Sequence, residues 1–163
     1  MPTDRGCPNG NLHQTDLLPI NCVASAQAEA YCRWAGKRLP TEPEWTYAAL
    51  GTDGRELPWG NERFATHLCM SGSFWVENAQ DHTTSCNVAT HPAGIGPFGL
   101  HDAAGNVAEW TSTTEGDKRI AMGGHFKRFS LTWDEFMQDW RMALAPDTRR
   151  ADLGLRCVRQ DAN

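Results

Sequence analysis

Residues 25–51, SAQAEAYCRWAGKRLPTEPEWTYAALG, hold two short helices and the turn between them, and their start and stop signals set the rest of the chain in place. Ala28, Tyr31, Cys32 and Ala35 recur at i, i+3, i+4 and i+7, with Ser25 placed to cap the start and Gly36 just past the end. The spacing predicts an amphipathic helix with Cys32 on its buried side. After Lys37-Arg38-Leu39-Pro40, the run Thr41-Glu42-Pro43-Glu44 forms a capping box, in which the Thr41 hydroxyl accepts from the Glu44 amide and the Glu44 carboxylate reaches back. A second helix follows, turning Trp45, Ala48 and Ala49 inward and stopping at Gly51.

Downstream, residues 51–99 are rich in Gly, Pro, Asn, Ser and Thr and show little period, so they read as one long ordered loop region with short strands. Loops of that length are usually functional, stapled, or both. Arg119 to Gly124 reads as a short strand ending at a Gly pair. Thr132-Trp133-Asp134-Glu135 repeats the capping-box pattern and opens a third helix, whose Trp133, Phe136, Met137, Trp140 and Leu144 form an apolar stripe suited to core packing. Asp152 to Arg159 places Leu153, Leu155 and Cys157 on one face of a closing strand. Neither an internal repeat nor a dividing linker is present.

The 163 residues make about one domain, which should bury roughly 68 to 70 per cent of its unfolded surface. Hydrophobic residues at 40 per cent, and seven tryptophans against two tyrosines, exclude a disordered chain. A net charge of −5, with no basic run longer than Arg149-Arg150, makes nucleic acid and anionic membranes poor partners. The apolar runs fall far short of the roughly 20 residues that span a bilayer. There is no P-loop, no G-x-G-x-x-G, no H-E-x-x-H and no G-x-S-x-G. His101 and Asp102 are adjacent, but no nucleophile can be placed beside them, so a structural reading is preferred.

Cysteines stand at 7, 22, 32, 69, 86 and 157, with no C-x-x-C pair, which argues against a zinc knuckle or a thioredoxin-like motif. Disulfides are favoured over buried thiols, because an even set in a Gly- and Trp-rich chain fits an oxidising compartment. Six cysteines allow 15 connectivities. The expected location is therefore extracytoplasmic, although residues 1–7 show neither a basic nor an apolar leader region. Either the chain begins partway through a longer exported protein, or the disulfide reading fails.

Six segments in this order resemble the formylglycine-generating-enzyme, or sulfatase-modifying-factor, family: PINCV at 19–23, AYCRWAGKRLPTEPEWTYAA at 30–49, PWGN at 58–61, PFGLHDAAGNVAEWTS at 97–112, MGG at 122–124 and DLGLRC at 152–157. The resemblance implies an α+β, C-type-lectin-like domain with little regular structure, stapled by disulfides and calcium. It implies one domain over residues 1–163 that lacks the family's N-terminal MGS-type and EVT-type portion. It also implies that Cys32 pairs with Cys157, leaving Cys7 with Cys22 and Cys69 with Cys86. Carried over residue by residue, it implies a Ca²⁺ held by Asp102, the Gly105 and Val107 carbonyls, and Glu109. That is a sensible donor set for a hard cation, since an extended stretch aims alternate groups to one side. A second family calcium site begins here at His67 in place of Asn and is not expected to carry over.

Active members of the family hold copper through two thiolates in a G-G-S-x-x-C-x4-C segment, as a soft metal prefers. Here the serine is His125 and the two thiols are Arg128 and Trp133, neither of which ligates copper, so no copper and no catalytic residue are expected. The favoured function is a non-catalytic, lectin-like binding or scaffolding module of an exported bacterial protein. His125, Arg128 and Trp133 would then capture a protein or peptide, the missing N-terminal part of the same domain being one candidate. Two alternatives stand beside it: a copper-dependent oxidase that makes formylglycine from a cysteine of sulfatase-like peptides, and a variable-surface ligand-binding protein on the same scaffold.

Overall fold

Helix α1 spans Ser25–Trp34, and Ser25, Ala28 and Cys32 face inward. The computed structural model describes residues 4–5, 7, 17–70, 84–126 and 133–159. Two expectations for α1 are corrected. Ala24 is the N-cap, its amide donating to the Gln27 side chain at 3.0 Å, while the Ser25 hydroxyl is buried and donates to the Pro146 carbonyl at 3.0 Å. Tyr31 is 50 % exposed and Ala35 is exposed as well, because the inward stripe runs through Ser25, Ala28 and Cys32.

Helix α2, Glu42–Leu50, begins with the expected capping box: Thr41 Oγ1 accepts from the Glu44 amide at 3.3 Å, and the Thr41 amide donates to Glu44 Oε2 at 2.8 Å. Arg38 clamps the same carboxylate at 2.6 and 2.7 Å, and these bonds, followed by the Thr41 amide, hold Glu44 down at about 2. Trp45 and Ala49 are buried, and Gly51 closes the helix with φ 69°.

Both helices pack on a four-stranded sheet. β3 (Ala108–Glu115) and β4 (Lys118–Met122) form an antiparallel hairpin; β5 (Arg141–Leu144) extends it antiparallel to β4, and β7 (Leu153–Leu155) runs parallel to β3. Alternation along the strands divides the core. Ile120 and Met122 join Trp45, Ala49, Phe136 and Trp140, whereas Ala121 joins Ala28, Cys32, Trp110 and Leu153. Short pairs complete the frame: β1 (Asp4–Arg5) with β6 (Arg149–Arg150), and β2 (Lys37–Arg38) with β8 (Val158–Arg159).

The third helix is shorter than its apolar stripe suggests. α3 covers Trp133–Gln138, and Leu144 lies instead in β5, where pairing with β4 satisfies the backbone that a helix would otherwise have served. Its expected cap, Thr132, lies outside the described residues. The closing strand is likewise divided into β7 and β8, with Arg156 and Cys157 between them. In 51–99 the described residues form 3₁₀ turns at Ala65–His67 and Pro92–Gly94 and isolated bridges in place of the short strands expected. Among the described residues no helix is long and apolar enough to cross a membrane.

All six cysteines are paired: Cys7–Cys22, Cys32–Cys157 and Cys69–Cys86. The second ties α1 to the end of the sheet across 125 positions, and the third joins Cys69 to Cys86 across 17.

Candidate functional site

The loop that feeds β3, residues 102–107, is shaped by backbone conformations that only a tightly held segment keeps. Asp102 and Asn106 have φ of 54° and 56°, and Gly105 has φ 74°. A side chain at Gly105 would put its Cβ 2.6 Å from the Cys69 carbonyl, so glycine is required there. Asn106, buried at 1 %, holds the turn from both ends. Its amide donates to the Cys69 carbonyl at 2.8 Å, its Oδ1 accepts from the Cys86 amide at 3.1 Å, and its Nδ2 donates to the Cys86 carbonyl at 3.3 Å. It thus repeats in hydrogen bonds the link that the Cys69–Cys86 bridge makes covalently.

Glu109 is buried at 4 %, not a solvated carboxylate. Its Oε2 accepts from Trp45 Nε1 at 2.7 Å and from Arg156 Nε at 2.8 Å, and its Oε1 accepts from Arg156 Nη2 at 2.7 Å. Burial pulls the Arg156 pKa down, but the Glu109 charge and hydrogen bonds, with Asp102 behind them, raise it overall. Asp102 Oδ2 accepts from the Ala89 amide at 2.7 Å. A cleft of about 490 Å³ opens here, and Asp102, Val107 and Glu109, but not Gly105, are on its wall. Neither Arg156 nor Asn106 is singled out by sequence spacing. Only the G-N pair within DAAGN hints at the left-handed turn.

These residues fit a hard cation in part. Asp102 and Glu109 each bring a carboxylate to one cleft, and Glu109 Oε1 keeps a lone-pair direction that Arg156 does not use. No three His, Cys, Asp or Glu side chains cluster as a metal site among the described residues, so a cation would depend on carbonyls and water for the remainder of its six to eight oxygens. Copper does not fit: every thiol is cross-linked.

Residues 123–125 follow β4. Gly124 has φ 67°, and a Cβ there would lie 2.8 Å from the Phe136 ring. His125 is 5 % exposed and sits inside a charged network. Its Nε2 lies 2.8 Å from Arg150 Nη2 and 3.4 Å from Asp139, and its Nδ1 lies 3.4 Å from Asp152. Arg150 in turn forks onto Asp152 at 2.7 and 2.9 Å, and that pairing raises the Arg150 pKa against the effect of burial. His125 therefore joins β4, β6 and the approach to β7 instead of facing solvent. Trp133 is half-buried, packed edge-on against Phe136 at 5.7 Å. Arg128 lies outside the described residues, so the three expected binding residues are not seen as one surface. His67, where a second calcium site was not expected, stacks on Phe64 at 5.1 Å.

Known proteins resemble this chain in sequence and in fold. The model of the sulfatase-modifying factor enzyme 1-like domain matches residues 1–161. The formylglycine-generating enzyme of Mus musculus is 30 % identical over 173 residues, covering 93 % of this chain and 46 % of that protein. The inactive C-alpha-formylglycine-generating enzyme 2 of Bos taurus is 33 % identical over 169 residues, covering 93 % and 53 %. The chain spans about half the length of these curated relatives. Among solved structures, Treponema denticola variable protein 1 superposes with a TM-score of 0.65 at 20 % identity, covering 96 % of this chain and 77 % of that one, a likeness of fold alone.

Proposed function

This chain belongs to the sulfatase-modifying factor enzyme 1-like family, and we propose that within it the chain is a non-catalytic, lectin-like binding or scaffolding module of an extracytoplasmic protein. One observation carries the reading: all six cysteines are consumed in disulfides. A soft Cu(I) ion needs thiolates, and none is left to supply them. The positions that resemble the family's copper ligands hold a guanidinium and an indole instead. Similarity by itself leaves activity open, because an enzyme and a protein named inactive match at 30 % and 33 %. Three disulfides support an oxidising compartment.

Copper loading under reducing-free conditions, followed by metal analysis and by oxygen uptake with a cysteine-containing peptide, tests this reading. The expected result is no stoichiometric copper and no uptake above buffer. One copper per chain together with thiol-dependent uptake would establish the oxidase instead.

Calcium is the ion this module is proposed to hold, through Asp102 and Glu109 with the Gly105 and Val107 carbonyls, as a structural tie on the 102–109 segment. Because Arg156 already neutralises Glu109, affinity should be weak, with a Kd on the order of 1 mM as in extracellular calcium modules. At ten times that concentration, linkage adds about 1.4 kcal/mol, which for a domain of this size is a melting shift of roughly 3 to 6 °C relative to chelator. Asp102→Ala should abolish the shift. An identical midpoint with and without Ca²⁺ would mean that the two carboxylates serve only Arg156, the Trp45 indole and the Ala89 amide.

A further inference from the structure

Arg156 has five N–H donors, and three bonds account for its Nε and Nη2: two to Glu109 at 2.8 and 2.7 Å, and one to the His101 carbonyl at 2.8 Å. Both Nη1 hydrogens are left without an acceptor among the described residues. Nη1 is not sealed in the interior either, since the side chain is 25 % exposed and lines the cleft of about 490 Å³. Lys37, an exposed residue of β2, lines the same cleft. The same cleft has apolar lining: Ile20, Tyr31 and Val88 leave 47 %, 50 % and 47 % of their surface exposed. A concave site with apolar walls and a few convergent polar groups is the usual form of a ligand pocket, and this volume lies within the usual range.

The chemistry of the donors selects the occupant. A guanidinium edge and an ammonium are donors only, and together they match a carboxylate. Asp102, bonded to the Ala89 amide, and Glu109 line the same cleft, so a ligand carboxylate depends on Lys37 and Nη1 for its counter-charge. The rim decides what the carboxylate is attached to. Leu17, whose carbonyl accepts from the Val88 amide at 2.8 Å, is 58 % exposed, and Trp34, with its ring 5.7 Å from Tyr31, is 81 % exposed. That is more apolar surface than a ligand confined to the cleft would cover. We infer that this cleft captures the C-terminus of a peptide whose last residue is apolar: the carboxylate on Lys37 and Arg156 Nη1, the last side chain against Ile20, Tyr31 and Val88, and the preceding residues across Leu17 and Trp34. This peptide site rests on the binding-module reading but depends on neither the state of the cysteines nor calcium.

Calorimetric titration of the whole chain in chelator, with acetyl-Gly-Ser-Gly-Leu as the free acid, as its C-terminal amide, and with acetyl-leucine alone, tests it. The free acid is expected to bind at least about tenfold more tightly than the amide, the loss of one charge-assisted contact. Lys37→Ala and Tyr31→Ala should each weaken the acid several-fold with an unchanged melting temperature, since both side chains are exposed. Equal affinity for acid and amide, or indifference to both substitutions, overturns the site. Acetyl-leucine binding as tightly as the tetrapeptide overturns the peptide assignment. A chain that took up copper and oxidised thiols yet still preferred the acid peptide would sink the non-catalytic reading and leave this one standing.

Discussion

Replacing Cys32 and Cys157 together by alanine is expected to lower the unfolding free energy by about 5 kcal/mol, the loop-entropy figure for a bridge that closes a loop of more than a hundred residues. For a domain of this size that is a fall in melting temperature of roughly 10 to 20 °C. The bridge joins α1 to the end of the sheet, so without it the unfolded chain regains the freedom of most of its length. Cys32 is also fully buried beside Ala28 and Leu39, and alanine leaves a void there. Opening Cys7–Cys22, which spans 15 positions, should cost about 3 kcal/mol on the same model. Reversible denaturant unfolding of each variant, followed by circular dichroism, gives the comparison. If the short bridge proved the costlier one, unfolded-chain entropy would not be what the long bridge controls.

What was legible in advance was mostly local. Thr41 and Glu44 announce their helix because both halves of the capping box lie within four residues, and nothing distant can cancel them. The apolar stripe after Trp133 misled because Trp140 and Leu144 satisfy a helical period while 141–144 also satisfy a strand period. Met142 and Leu144 pack on one side of the sheet and Ala143 on the other. The free edge of β4 decided between the two readings, and that edge is a tertiary fact. Tyr31 is misplaced for a similar reason: a helical face a hundred degrees wide admits it, yet the stripe that is buried takes in only Ser25, Ala28 and Cys32.

The site divides in the same way. Asp102 and Glu109 could be read from one segment by resemblance, and they do share a cleft. What changes their meaning is Arg156, 47 positions beyond Glu109 and hidden within an alternating run that reads as plain strand. His125 likewise looked like a candidate for ligand capture until Arg150, Asp139 and Asp152 closed around it from other elements. Buried charge must be paired, so a carboxylate or imidazole in the core obliges partners that no local pattern reveals.

The pairing at Glu109 can be weighed directly. Glu109→Gln is expected to cost about 3 kcal/mol, the lower part of the range for removing one partner of a buried ion pair, because Arg156 is a quarter exposed and the cleft admits some water. Glutamine can still accept from the Trp45 indole but leaves the guanidinium without its counter-charge. Arg156→Met strands the carboxylate instead and should cost at least as much, since Glu109 is the more deeply buried of the two. The double variant should recover much of either loss, as replacing a buried pair by uncharged groups of similar size often does. All three measurements belong in chelator, where calcium cannot contribute. Strict additivity of the two single losses would mean that the two side chains do not couple, and that Glu109 is held chiefly by Trp45.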